Sequence, residues 1–138
     1  MNSIYIVLLV GLLVCSWEDV RSYMVSVPFV IIWTSLLCGM QIYQGNMDLS
    51  LLIVPIIIIG IVAIVSHLSG GGIGLGDGFL FAMTVMGLGV AQSIQMFIYC
   101  LIGAFCVAII VLVLFSGKKD TRIPLAPFIF GGSLLAIL

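Results

Sequence analysis

The sequence predicts an all-α membrane protein, a single domain over residues 1–138 built as a bundle of six transmembrane helices. Three observations lead there. At 64% hydrophobic and 7% charged residues, the chain lies far from the roughly 25% charged of soluble domains. Its 138 residues divide into six apolar stretches joined by short polar connections, most of them close to the roughly 20 residues that a helix needs to cross a bilayer. All four Lys and Arg residues stand in two of those connections, the first and the fifth, which six spans would place on the same side.

The elements follow in order. Residues 2–17 form a first apolar helix that lacks the positive start and small-residue cleavage site of a secretory leader. The polar cluster Trp17-Glu18-Asp19-Val20-Arg21-Ser22-Tyr23 follows, its aromatics placed as interfacial ones usually are. A second span covers about Met24–Tyr43, with Pro28 early enough for a first turn. Gln44-Gly45-Asn46-Met47-Asp48 makes a turn. Residues 49–68 are a third span with Pro55 inside, tolerable in a membrane helix whose neighbours satisfy the freed carbonyl. After a glycine run, residues 78 to about 91 form a short fourth span whose Gly78, Gly87 and Gly89 suit an interior helix. A weak turn is expected at Ala91-Gln92-Ser93-Ile94-Gln95, then a fifth span at 96–116. The charged cluster Lys118-Lys119-Asp120-Thr121-Arg122 precedes a last span that enters through Pro124 and Pro127 and ends at Leu138.

By the positive-inside rule, the side holding Arg21, Lys118, Lys119 and Arg122 is cytoplasmic. Both chain ends are then external. The expected location is the cytoplasmic (inner) membrane, crossed several times. Reading 78–116 as one span would put the basic connections on opposite sides, so charge favours two spans there.

Several chemistries are disfavoured. With a net charge of -1 and no basic stripe, the chain is unsuited to nucleic acid. Cys15, Cys38, Cys100 and Cys106 are scattered through apolar segments without a C-x-x-C pair, so they read as small buried hydrophobes rather than zinc ligands. His67 is the single histidine and is expected at a helix end. No Gly-rich motif with a following Lys-Ser/Thr is present to cradle phosphates.

What remains is carboxylate chemistry. The run Ser69-Gly70-Gly71-Gly72-Ile73-Gly74-Leu75-Gly76-Asp77-Gly78 places a lone carboxylate beside a glycine stretch between membrane-length segments. An Asp at such a boundary costs roughly 2.5–3.5 kcal/mol at a span's centre, so it is a functional candidate by default. Glu18, Asp19 and Asp120 share its expected face. Asp19 and Asp77 form the best pair, because two aspartates held close can share a proton and activate water. Asp120 sits among cations as a screened cluster, and Glu18 points elsewhere on its helix.

Gly70-Gly71-Gly72-Ile73-Gly74-Leu75-Gly76-Asp77 resembles the Gly-x-Gly-Asp signature of the type IV prepilin peptidase family of membrane aspartyl proteases. Asp19-Val20-Arg21-Ser22 resembles that family's first catalytic Asp and its polar sequel. Arg122-Ile123-Pro124-Leu125-Ala126-Pro127-Phe128 is similar to its Ile-Pro-Phe-Gly-Pro-Phe segment. The resemblance implies that Asp19 and Asp77 are catalytic, that Gly72, Gly74, Gly76 and Gly78 shape the loop against which a substrate lies, and that no metal or organic cofactor takes part. It also implies the short form, without the family's methyltransferase region. The substrates would be pilin-like precursor proteins, relieved of a positively charged leader at the cytoplasmic membrane face. Phe79 stands where the family usually carries Lys.

A reading from another class is a small membrane transporter or assembly subunit whose glycine-rich helix break binds an ion. It would call for paired interruptions in the two halves, and the sequence shows one clear glycine break.

Overall fold

The computed structural model describes residues 2–71, 74–115 and 123–138. These residues form six helices and no strand: α1 (Ser3–Ser22), α2 (Val27–Tyr43), α3 (Leu49–Leu68), α4 (Leu75–Leu88), α5 (Val90–Phe115) and α6 (Ala126–Ile137). Three of them, α1, α3 and α5, are long and apolar enough to cross a membrane. The other three are shorter apolar helices.

Local chemistry explains the boundaries. Pro28 and Pro127 stand at the starts of α2 and α6, where a missing N–H costs no helical bond. Helix α1 ends at Tyr23, which takes a left-handed conformation (φ 53°) and donates its N–H to Asp19 O at 2.8 Å. His67 lies in the last turn of α3, as expected. Helix α3 is closed by Gly71 N–H donating to Ser66 O at 2.9 Å, with Gly70 and Gly71 at φ 64° and 86°. That left-handed backbone favours glycine and is a common way to end a helix.

The α4–α5 boundary differs from the sequence expectation. Residues 91–95 are helical, and the break is at Gly89 (φ 84°, ψ 166°). Two of the polar side chains there are satisfied without interrupting the helix. Ser93 Oγ donates to Gly89 O at 2.7 Å within its own turn, and Gln92 Oε1 accepts from Tyr5 Oη at 3.1 Å.

Helix α4 is the centre of the molecule. It packs against every other helix, and residues 82–88 are buried without interruption. A helix apolar on all sides belongs in an interior. Around it, Ile4, Leu8, Leu12 and Cys15 make one buried stripe along α1, joined by Val30 and Leu37 of α2, Met96 and Cys100 of α5, and Ile129 of α6. Polar bonds also cross between helices: Trp33 Nε1 donates to Val7 O at 2.8 Å, partly buried, and Gln41 Nε2 donates to Met86 O at 2.9 Å, fully buried. Glycines let backbones approach at selected points. A Cβ on Gly78 would lie 2.9 Å from Val62 Cβ, and one on Gly87 would lie 2.7 Å from Leu8 Cδ2.

The outer faces are as apolar as the core. Ile53, Ile56, Ile57, Ile61 and Ile64 of α3 and Leu101, Ile102, Phe105 and Leu112 of α5 are exposed. Continuous apolar surface of this extent is unusual on a soluble monomer and suits contact with lipid.

Candidate active site

Cavity linings reveal the directions of the helices. One cavity draws on the end of α1, the start of α2, the lead-in to α4 and the lead-in to α6. A second draws on the starts of α1, α3 and α5 and on the ends of α2 and α4. Successive helices therefore run up and down, and the α1–α2 link, the described part of the α3–α4 link and the lead-in to α6 meet at one end.

At that end lies a cavity of about 610 Å³ lined by both Asp19 and Asp77. Its walls are Tyr23, Met24, Val25 and Val27 from the α1–α2 link, Gly71, Gly74, Leu75 and Gly76 from the α3–α4 link, and Ile123, Pro124 and Leu125 ahead of α6. Two acidic side chains from distant parts of the sequence face one mixed polar and apolar space.

Asp19 stands in the last turn of α1 and is only 7% exposed. Its Oδ2 accepts the N–H of Ala126, itself fully buried, at 2.9 Å. Ala126 opens α6, and the following Pro127 has no N–H to offer, so Asp19 satisfies one of the few donors that a helix start leaves without partners. The neighbouring Glu18 is committed elsewhere, its Oε2 accepting Ser26 N–H at 3.3 Å ahead of α2. Arg21 is exposed and does not line the cavity.

Asp77 stands in the first turn of α4, ahead of the apolar run that begins at Phe79, and its N–H donates to Gly74 O at 3.1 Å. It lines the same cavity as Asp19.

The glycines divide by role. Gly74 and Gly76 line the cavity, where an added Cβ would make only ordinary contacts, with Asp77 Oδ2 at 3.8 Å and Val25 Cβ at 3.6 Å respectively. Gly78 faces Val62 of α3 and serves the close approach of α3 and α4. Gly72 lies outside the described residues, as do Lys118, Lys119, Asp120 and Arg122. Two participants escaped the sequence reading: Gly71, whose positive φ shapes the cavity rim, and the backbone N–H of Ala126. A backbone donor from so remote a position leaves no local trace in sequence, although the proline-rich lead-in to α6 was conspicuous.

Chemically, the arrangement can hold a water between two carboxyl groups, one of them fixed by a backbone donor, that can share a proton. Such a pair can take a proton from water and polarise a carbonyl. Among the described residues, no group of three His, Cys, Asp or Glu side chains is placed to hold a metal ion. No family model, curated protein or solved structure matches the chain.

Proposed function

We propose that this chain is a membrane aspartyl endopeptidase that removes the positively charged leader from pilin-like precursors, as its resemblance to the short type IV prepilin peptidases implies. The observation that supports it most is the single cavity shared by Asp19 and Asp77. In this reading α1, α3 and α5 are joined by α2, α4 and α6 as spans of a six-helix bundle. The three connections around the aspartates lie on the cytoplasmic side, with Arg21 and the basic cluster at 118–122 retained there by charge. Helix α4, sheathed by its neighbours, need not match the full bilayer thickness, which suits its 14 residues.

Asp19 acts as base. It takes a proton from water as the water oxygen attacks the scissile carbonyl carbon, while protonated Asp77 passes its proton to the carbonyl oxygen. The tetrahedral intermediate collapses as Asp77 takes that proton back from the hydroxyl and the proton on Asp19 passes to the departing amide nitrogen, leaving a free acid and a free amine. Gly74 and Gly76 present backbone without side chains to an extended substrate strand.

Co-expression with a pilin-like precursor tests the reading by gel shift. Wild type should convert the precursor, and Asp19→Asn should not. Asn is the informative replacement, because its side-chain oxygen still accepts Ala126 N–H, whereas Ala would orphan a buried donor at about 1–3 kcal/mol. Full conversion by Asp19→Asn would end the assignment.

A further inference from the structure

At the opposite end of the bundle, a second cavity of about 380 Å³ is lined mainly by polar groups, among them Asn2, Gln41, Asn46, Asp48 and Ser50. We propose that it binds a primary ammonium group.

The charge of the site decides the sign of its ligand. Among the described residues that line it, Asp48 is the single formally charged one, and none is Lys, Arg or His. Asp48 occupies the position before α3 where a carboxylate would ordinarily cap the helix, yet its side chain makes no capping bond. Only its backbone oxygen is used, accepting Leu51 N–H at 3.0 Å. The carboxylate is therefore available.

A second acceptor comes from the interior. Gln41 is 6% exposed and donates Nε2 to Met86 O. Among the described residues, its Oε1 accepts no hydrogen bond, and none of their buried side-chain nitrogen or oxygen atoms lacks a partner. Gln41 lines the cavity, and this oxygen is the part of its amide left without a described partner. An almost wholly buried amide that ties up its donor and leaves its acceptor at a cavity wall is arranged for an incoming donor. Asn2, Asn46 and Ser50 add neutral oxygens.

One carboxylate with several neutral oxygens suits a monovalent cation with N–H donors better than a hard divalent ion, which gathers six to eight oxygens and usually several carboxylates. The volume exceeds many times the roughly 10–15 Å³ needed for one water, leaving room for an organic amine and its hydration. Two sources carry this group: a free amine in solution, or the headgroup of an aminophospholipid. The site lies at the other end of the molecule from Asp19 and Asp77 and is read out by binding, so its failure leaves the peptidase reading untouched.

The test uses the full chain in phosphatidylcholine nanodiscs, titrated calorimetrically with ethanolamine and with choline, whose quaternary nitrogen has no N–H. Ethanolamine should bind at least about tenfold more tightly than choline, and Asp48→Asn should lower its affinity by about tenfold, as expected for loss of one charge-assisted bond. Repeating the titration with phosphatidylethanolamine in the disc assigns the source: suppressed ethanolamine binding identifies the lipid headgroup, and unchanged binding identifies the free amine. Equal binding of the two amines, or undiminished ethanolamine binding by Asp48→Asn, overturns the proposal. The ethanolamine–choline contrast needs no variant, so it stands even if Asp48→Asn is poorly folded.

Discussion

An Asp77→Asn protein is expected to insert and fold normally yet to lose precursor cleavage by about 10³-fold or more, within the range that general acid–base groups supply. Asparagine matches the shape of aspartate and can still touch a carbonyl oxygen, but it cannot carry and return a proton. The mechanism needs that return, because the group that polarises the carbonyl must regain its proton before the next turnover. Asp77 suits this role because it lines one cavity with Asp19, and two carboxyl groups facing one space can share a proton. Asparagine keeps the size and shape of the side chain, so the variant should be about as stable as wild type. Lost activity with retained stability is the pattern to look for in a quantitative single-precursor assay. Cleavage within a few-fold of wild type by a well-folded Asp77→Asn protein would remove Asp77 from the chemistry.

How much of this was legible beforehand depends on the range over which each feature is encoded. Helical segments are local, and the apolar stretches anticipated six helices with small errors at their ends. Those errors share a cause. Gln92, Ser93 and Asp77 were read as connection residues because they are polar, yet each is helical. A helix retains a polar side chain when its own backbone or a neighbour satisfies it, as Gly89 O does for Ser93 and Tyr5 for Gln92. What stops α4 is Gly89, through a backbone conformation closed to other residues. Asp77 stands out in the sequence because a lone carboxylate in so apolar a stretch is costly, and Asp19 as the carboxylate best able to pair with it. The backbone donor that positions Asp19 does not stand out, since Ala126 is an ordinary residue whose importance comes from where α6 begins. Glycine is ambiguous in the same way. Gly71 shapes a loop and Gly78 permits helix contact, and the letters alone do not separate the two.

That ambiguity is sharpest at two adjacent glycines of α6, where the second large effect is expected. Gly132→Val should destabilise the protein by about 1–3 kcal/mol or more, the usual range for overpacking, whereas Gly131→Val should not. A Cβ on Gly132 would stand 2.8 Å from Met96 O and 3.3 Å from Cys100 N of α5. Those are backbone atoms of a neighbouring helix, so relief requires moving α5 and α6 apart rather than turning a side chain. Small residues at such crossings are what allow apolar helices to pack closely in lipid. A Cβ on Gly131 meets nothing within 4 Å, so its replacement tests only the local helical preference. The consequence reaches the candidate site as well. Helix α6 presents Ala126 N–H to Asp19, and a side chain that pushes α6 off α5 also draws that donor away from the carboxylate. Gly132→Val should therefore melt earlier in detergent and cleave more slowly even where it remains folded, with Gly131→Val close to wild type in both measurements. Equal melting temperatures for the two variants would mean that α5 and α6 do not touch at Gly132, and the support for Asp19 would have to be sought elsewhere.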